Sequence, residues 1–329
     1  MTLDPDSLLG QPIGRYILDR LLGQGGFAWV FAAHADDGAP VALKVLKPRY
    51  AGDPQFATRF RNEGQVASKL DHPNILRPLE IGQEGQFTFF VMRLYPQSLR
   101  TAIEEGGPLS EDDAVRLARE LAAGLAYAHE AGFIHRDIKP DNVLVAEDGT
   151  FLISDFGIAR AVSGYSSATG VNMTIGTPQY ISPEQAQGRT LDGRSDLYAL
   201  GVTLYKATTG DVPFRSTDWF ELARMHVEEQ PTPPRKKRPN LSKRLEQVIL
   251  KCLAKHPDDR YASAQALEDE LEELASADRR TESFGIPPID TGELRAALAG
   301  DGRRPRWVLG LVALVVVIVV AVVVVLLGR

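Results

Sequence analysis

The spacing of apolar residues changes once along the chain, and this change predicts two lobes with different secondary structure. Residues 14–92 carry short alternating patterns typical of β-strands, at residues 16–22, 28–34, 41–46 and 87–92. Residues 97–275 instead repeat apolar residues at intervals of three and four, the period of helices packed on a core. The predicted fold class is therefore α+β, with a strand-rich lobe at about 14–92 and a helical lobe at about 97–275.

Capping residues predict where several helices begin and end. In the first lobe, Asp53 can accept a backbone hydrogen bond at a helix start, Pro54 suits the first turn, and the sequence DHP at residues 71–73 would end that helix. In the second lobe, the sequence SEDD at residues 110–113 resembles a capping box. The almost entirely apolar segment 197–207 predicts a buried helix.

A run of 20 residues at 308–327 contains no charged or strongly polar side chain. At about 1.5 Å per residue, a helix of this length spans about 30 Å, the thickness of a bilayer core. We therefore expect one transmembrane helix at 308–327, preceded by a flexible linker at 276–306. Because Arg303, Arg304 and Arg306 precede the run, the positive-inside rule predicts a single-pass protein of the cell membrane with both lobes in the cytoplasm.

The basic sequence RKKR at residues 235–238 lies within residues 231–239, a proline-rich stretch that predicts a loop. Two interpretations of this sequence remain open. It forms a solvated surface loop, or it contacts anionic lipid or a partner protein.

Composition excludes several classes of protein. Apolar residues make up 44% of the chain and charged residues 24%, which excludes wholesale disorder. Cys252 is the single cysteine, so a framework of disulfides within the chain is excluded. The net charge of −6 gives no basic excess, and nucleic acid is therefore not expected as a partner.

Two segments of the first lobe indicate a phosphate-binding site. The sequence GQGGFAWV at residues 23–30 lies between two predicted strands, and its glycines would let backbone N–H groups approach phosphate oxygens. This signal is weak alone, because a glycine-rich hairpin is more often a plain turn. The sequence VALK at residues 41–44 places Lys44 on a strand, and Glu63 on the following helix is a candidate partner.

The strongest chemical signal is HRDIKPDN at residues 135–142, a polar segment between apolar ones. Phosphoryl transfer needs a carboxylate near the attacking hydroxyl, a cation for the developing charge and an oxygen ligand for metal. Asp137, Lys139 and Asn142 can supply these three groups. A further carboxylate, Asp155 in the sequence SDFG, can bind Mg²⁺ that bridges the phosphates.

Together these motifs resemble a Hanks-type (eukaryotic-like) protein kinase, most closely the membrane-bound bacterial serine/threonine kinases. The resemblance covers roughly residues 14–272 and rests on motifs in family order, namely VALK, HRDIKPDN, SDFG, GTPQYISPE, SDLYALG and HPDDRY. It implies the two-lobed protein kinase fold, a kinase domain at 14–275, and transfer of the ATP γ-phosphate to serine or threonine of proteins in bacterial signalling. ATP and Mg²⁺ are the implied cofactors, with Mn²⁺ as an alternative ion.

The resemblance also implies roles for individual residues. Asp137 would be the catalytic base and Lys139 would neutralise the γ-phosphate. Lys44, paired with Glu63, would hold the α- and β-phosphates. The metal ligands would be Asn142 and Asp155. The nucleotide-binding residues would be Leu22, Gly23, Gly25, Val30, Ala42, Lys44, Met92, Leu94 and Leu144.

Other positions in the resemblance concern the substrate and regulation. The tripeptide Gly-Thr-Pro at residues 176–178 is typical of serine/threonine kinases, and its Thr177 would shape the acceptor site. Arg136 would bind a phosphate on the activation loop, here residues 155–184, for which Thr174 and Thr169 are the candidate sites. The residues implied to be structural are Arg136, Glu184, Asp196 and Arg260.

Two other functions remain as alternatives from the sequence. A pseudokinase acting as a membrane scaffold usually lacks the lysine, the base or the metal-binding aspartate, and all three are present here. A small-molecule kinase of the same fold is disfavoured by GTPQYISPE, a feature of kinases with protein substrates. The expected partners are protein substrates, the membrane through the C-terminal helix, and a second copy of the chain for trans-autophosphorylation.

Overall fold

The computed structural model describes residues 3–51, 53–156 and 178–283. Within these ranges, the residues up to Ala277 belong to one compact unit. The predicted transmembrane segment at 308–327 lies outside the described residues. Within the described ranges, no helix has the length and apolar character needed to cross a bilayer.

The first lobe is built on an antiparallel sheet of six strands. The strands are β1 (Pro12–Ile13), β2 (Tyr16–Gln24), β3 (Ala28–Ala35), β4 (Pro40–Leu46), β5 (Pro78–Glu84) and β6 (Phe87–Arg93). Their spatial order is β1-β2-β3-β4-β6-β5. The predicted strands correspond to β2, β3, β4 and β6, whereas β5 was not predicted. Strand β5 lies at the sheet edge and pairs with β6, and its polar residues, Pro78 and Gly82 obscure the alternation that marks a strand.

Two helices follow β4. A single turn, α1 (Pro48–Ala51), leads into α2 (Pro54–Ala67), which packs against β5 and β6. Helix α2 begins as predicted, because the Asp53 carboxylate accepts a hydrogen bond from the backbone N–H of Gln55 at 2.8 Å and Pro54 occupies the first turn. The helix ends shortly before the predicted DHP stop.

The second lobe is mostly helical. Its helices are α3 (Leu99–Gly106), α4 (Glu111–Glu130), α5 (Pro183–Ala186), α6 (Gly193–Thr209), α7 (Trp219–Glu228), α8 (Pro234–Lys237), α9 (Lys243–Cys252) and α10 (Ala264–Ser283). Three short antiparallel strands accompany them, namely β7 (Gln97–Ser98), β8 (Val143–Val145) and β9 (Phe151–Ile153). Strand β8 lies between the other two. Helix α6 is buried along most of its length, as predicted for residues 197–207, and packs against α4 and α9.

Two predicted boundaries differ in the structure. The stretch 231–239 was predicted to be a loop, but it contains the single turn of α8. Helix α10 continues to Ser283, so residues 276–283 of the predicted linker are helical. This extension contains alanine, arginine and glutamate but no glycine or proline, and each added helical residue gains one backbone hydrogen bond.

The RKKR segment is partly used inside the fold. Arg238 Nη1 donates to the carbonyl oxygens of Leu109 and Thr208 at 2.6 and 3.0 Å. Lys237 Nζ pairs with the Asp211 carboxylate. These contacts favour a structural role for part of the segment over an open lipid-binding surface.

A buried ion pair joins α5 to the segment that precedes α10. Arg260 Nη1 and Nη2 donate to Glu184 Oε1 and Oε2 at 2.7 and 2.9 Å, and Ser195 Oγ donates to Oε1 at 2.6 Å. Burial raises the pKa of the Glu184 carboxyl, but the hydrogen bonds from Arg260 and Ser195 outweigh burial and leave that pKa below its ordinary value. The stabilisation is therefore present at neutral pH and is lost as the pH falls through the lowered pKa.

Replacing Arg260 with methionine should leave Glu184 buried without its cation. We expect Arg260→Met to lower the free energy of unfolding by about 3–5 kcal/mol, measured by urea denaturation at pH 7. The matched control is Arg224→Met, which removes exposed pairs with Glu228 and Glu229 and should leave the urea midpoint unchanged. Equal stability of Arg260→Met and the wild type would contradict this role for the pair.

Candidate active site

Lys44 of β4 lies at the centre of the candidate site and contacts two carboxylates. Its Nζ donates to Glu63 Oε1 of helix α2 at 2.7 Å. It also donates to Asp155 Oδ1, just after β9, at 3.0 Å. The Lys44 and Glu63 side chains are 12% and 10% exposed. A buried ammonium needs a paired charge to be stable, and this one has two.

These contacts shift the pKa values of all three groups. Burial lowers the pKa of Lys44, but Asp155 and Glu63 raise it by more, so the net pKa lies above its ordinary value. Burial raises the pKa of Asp155, yet Lys44 lowers it by more. Glu63 keeps a raised pKa, because burial outweighs the attraction of Lys44. Lys44 and Asp155 are therefore held in their charged forms at neutral pH.

The polar segment before β8 brings Asp137, Lys139 and Asn142 together. Lys139 Nζ donates to Asp137 Oδ2 at 2.9 Å. Asn142 Nδ2 donates to the backbone oxygen of Asp137 at 2.8 Å and to its Oδ2 at 3.1 Å. The backbone N–H of Ser154 donates to the carbonyl oxygen of Asn142 at 2.8 Å, which connects this segment to the strand end that carries Asp155.

Asn142 and Asp155 offer oxygen atoms that suit a divalent cation. Because Asn142 Nδ2 donates to Asp137, the amide oxygen Oδ1 is the atom of Asn142 that can bind a metal. Asp155 Oδ1 accepts a hydrogen bond from Lys44, and Oδ2 is the second carboxylate oxygen that can face a metal ion. Amide and carboxylate oxygens are ligands that Mg²⁺ accepts, so these two residues fit this ion.

Asp196 of helix α6 is fully buried and holds the backbone next to Asp137. Its Oδ2 accepts the N–H of His135 at 2.8 Å, and its Oδ1 accepts that of Arg136 at 2.7 Å. Arg136 has a φ of 68°, a left-handed conformation that costs free energy for a residue with a side chain. His129 Nε2 contacts the same Asp196 carboxylate at 2.8 Å. The carboxylate thus stabilises a strained turn beside Asp137.

His135 connects this turn to Asp155. Burial lowers the pKa of His135, so the ring is neutral. Its Nε2 donates to the carbonyl oxygen of Ser154 at 2.9 Å, and its Nδ1 accepts the N–H of Asp137 at 3.2 Å. The ring also contacts Phe156 edge-on, with centroids 4.7 Å apart. These contacts hold Asp155, which has a φ of 58°, between two fixed neighbours.

An apolar cluster near Lys44 contains four of the nine predicted nucleotide-binding residues. It consists of Ala42, Leu76 and Met92, with Leu94, Tyr95 and Leu144 packed against them. Val30 lies directly across from Lys44 on the neighbouring strand. Leu22 and Gly23 lie at the end of β2, and Gly25 follows that strand. The N–H of Gly25 donates to the carbonyl oxygen of Ala28 at 2.9 Å, which closes the turn between β2 and β3.

Several residues of the site were not predicted from the sequence. Gln185 Nε2 donates to the carbonyl oxygen of Arg136 at 3.0 Å. His129 contacts Asp196, and Leu76 lies in the apolar cluster. Their partners are distant in sequence, and no local pattern marks them. The predicted loop residues Thr169, Thr174 and Thr177 lie outside the described residues.

Comparison with known proteins gives consistent matches. The model of the protein kinase domain family matches residues 16–271. The chain is 38% identical to serine/threonine-protein kinase pkn3 of Myxococcus xanthus, with 86% of this chain aligned. It is 37% identical to PrkC of Bacillus subtilis, with 84% of this chain aligned. It is 36% identical to PknB of Mycobacterium leprae over 89%. The chain spans about half the length of these relatives, namely 54%, 43% and 51% in the same order.

A solved structure shows the same fold. The kinase domain of Mycobacterium tuberculosis PknI is 28% identical to this chain, with a TM-score of 0.61, over 83% of this chain and 99% of that one. Its fold, the family match and the relatives agree with one another. The chain therefore belongs to the protein kinase domain family.

Proposed function

We propose that this chain is a serine/threonine protein kinase that transfers the γ-phosphate of ATP to serine and threonine side chains of proteins in bacterial signalling. The observation that carries the proposal is the contact of Lys44 with both Glu63 and Asp155. The hydrogen-bonded pair of Asp137 and Lys139 adds to it. The relatives named as serine/threonine kinases support the same activity.

ATP would bind between the two lobes. The apolar cluster around Ala42, Met92 and Leu144 suits the adenine ring, because it is a flat hydrophobic group. Lys44 would donate to the α- and β-phosphates while Glu63 holds its ammonium in place. Bound Mg²⁺, held by Asn142 and Asp155, would supply positive charge against the phosphate oxygens.

In the proposed reaction, the oxygen of the substrate hydroxyl bonds to the γ-phosphorus of ATP, and the bond between that phosphorus and the ADP oxygen breaks. Asp137 accepts the proton of the hydroxyl. Asn142 orients the Asp137 carboxylate through its 3.1 Å hydrogen bond to Oδ2. Lys139, 2.9 Å from the same oxygen, is placed to neutralise charge on the transferred phosphoryl group. Positioning and electrostatics thus supply the rate enhancement.

Regulation by a phosphate on the activation loop is part of the proposal. Arg136 Nε is buried and has no hydrogen-bond partner among the described residues. A guanidinium with an unused donor is a suitable partner for phosphate oxygens. We assign Thr174 as the first candidate and Thr169 as the second, with Thr177 shaping the acceptor site.

Membrane attachment is also proposed, with the kinase domain in the cytoplasm. The support is the uncharged run at 308–327 and the arginines before it, Arg303, Arg304 and Arg306. Attachment would concentrate copies of the chain on one surface and favour trans-autophosphorylation.

Replacing Asp137 with asparagine tests the catalytic base. Asp137→Asn keeps the size of the side chain but removes the proton acceptor, so we expect kcat to fall about 10²–10⁴-fold with ATP affinity unchanged. Phosphotransfer to a generic protein substrate and calorimetric ATP binding measure the two quantities. Asp148→Asn, on the exposed β8–β9 connection, is the control and should retain kcat. Near-normal turnover of Asp137→Asn would remove this residue from the mechanism.

Replacing Thr174 with alanine tests the regulatory phosphate. We expect Thr174→Ala to lower activity several-fold, whereas Ser163→Ala on the same loop should not, and mass spectrometry should find phosphate at Thr174 in the active protein. If the phosphate acts through Arg136, Thr174→Ala should cost nothing further in an Arg136→Asn background, because asparagine tolerates a positive φ. Fully active protein without any loop phosphate would exclude this mechanism.

Reconstitution in liposomes tests the attachment. At equal bulk concentration, the full chain with liposomes should autophosphorylate faster than a fragment of residues 1–300, and the difference should grow on dilution. Protease added outside intact cells should leave the kinase domain uncut. Equal rates across the dilution series would show that the apolar run does not concentrate the kinase, and external cleavage would reverse the proposed orientation.

A further inference from the structure

The ring of Phe90 forms a fixed surface between strand β6 and helix α2. In the sheet, Phe90 pairs with Lys44 of β4 on one side and with Ile81 of β5 on the other. Its ring stacks on Phe60 of α2, with centroids 4.1 Å apart, and the residue is 3% exposed. Lys44 Nζ lies 5.9 Å from the ring centroid. A ring packed on these sides has little room to move.

Gly64, the residue after Glu63, faces this surface from helix α2. A Cβ at position 64 would lie 2.8 Å from Phe90 Cε1 and 2.9 Å from Ile81 Cδ1. Carbon atoms in contact lie about 3.5–4.0 Å apart, so a side chain here would force the helix or the ring to move. Glycine weakens a helix interior relative to alanine, and this close approach is a physical reason for its presence.

We propose that Gly64 is a positioning residue for phosphoryl transfer, because it sets the distance of α2 from β6 and thereby the 2.7 Å contact between Glu63 and Lys44. This proposal rests on the function proposed above. Glu63 and Gly64 are adjacent in one helical turn, so a displacement at Gly64 also displaces the Glu63 carboxylate. A misplacement of about 1 Å in a catalytic arrangement costs about 10²-fold in rate, and a smaller displacement is sufficient to lower kcat.

The test is Gly64→Ala in the full chain. We expect kcat to fall about tenfold, while the Kd for ATP changes less than about threefold, because the atoms nearest the new Cβ belong to Phe90 and Ile81, which are not in the apolar cluster around Met92. The matched control is Gln65→Ala on the same helix, which should retain kcat because position 65 is exposed. Wild-type kcat in Gly64→Ala would overturn the proposal.

Two double variants separate positioning from a general loosening of the packing. Phe90→Leu removes the ring atoms that the new Cβ meets but leaves Ile81 Cδ1, so adding Gly64→Ala to it should cost clearly less than the tenfold loss in the wild-type background. In a Glu63→Gln background, Gly64→Ala should add no loss, because the contact through which it acts is already changed. An undiminished tenfold loss in either background would overturn the proposal.

A second measurement does not depend on catalysis. An amine-reactive ester can acylate Lys44 only when its nitrogen is released from the hydrogen bonds to Glu63 and Asp155, at 2.7 and 3.0 Å. Gly64→Ala should raise the acylation rate of Lys44 several-fold, whereas Gln65→Ala should not. Mass spectrometry measures this rate. An unchanged rate would count against Gly64 as a positioning residue. If the wild type transferred no phosphate, the proposed function would fail, and the acylation rates would still decide the role of Gly64.

A milder variant covers the case in which Gly64→Ala does not fold. Adding Ile81→Val removes Cδ1, one of the three atoms that lie 2.8–3.1 Å from the new Cβ. The Gly64→Ala/Ile81→Val protein should show a kcat between those of the wild type and the Glu63→Gln protein, together with faster acylation of Lys44. Wild-type kcat with wild-type acylation in this protein would overturn the proposal.

Discussion

One buried ammonium, that of Lys44, determines the arrangement of the rest of the site. Burying a charge without a partner is costly, so the carboxylates of Glu63 and Asp155 must both reach it. They come from helix α2 and from the segment after β9, which are 19 and 111 positions away from Lys44 in sequence. The requirement to pair one charge therefore restricts the position of a helix in the first lobe and of a loop in the second.

The two lobes position their groups by different physical means. In the first lobe, Glu63 is placed by apolar packing, in which the stacked rings of Phe60 and Phe90 and the missing side chain of Gly64 set how closely α2 approaches the sheet. In the second lobe, the buried carboxylate of Asp196 accepts hydrogen bonds from the N–H groups of His135 and Arg136 and so fixes the backbone next to Asp137. Packing sets a distance, whereas hydrogen bonds are directional and set an orientation.

Strained backbone is concentrated beside the reacting groups. Among the described residues, Arg136 and Asp155 are the two non-glycine residues with positive φ, at 68° and 58°. A buried polar group next to each residue offsets the free-energy cost of the strain. Asp196 accepts the N–H of Arg136, and Lys44 donates to the carboxylate of Asp155. The strain and its compensation lie in the same place, and the rest of the described backbone outside glycines stays in ordinary conformations.

The sequence by itself determined the fold class and the chemical groups of the site, because apolar periodicity and motifs such as HRDIKPDN are local. Asp137 and Asn142 are five positions apart, so chain connectivity alone keeps them close. Strand β5 and the end of α10 were not predicted, because a polar edge strand and a helix end lack a strong local pattern. How closely Glu63 and Asp155 approach Lys44 was decided by the tertiary structure, because contacts between distant residues depend on packing distances that no short segment of sequence encodes.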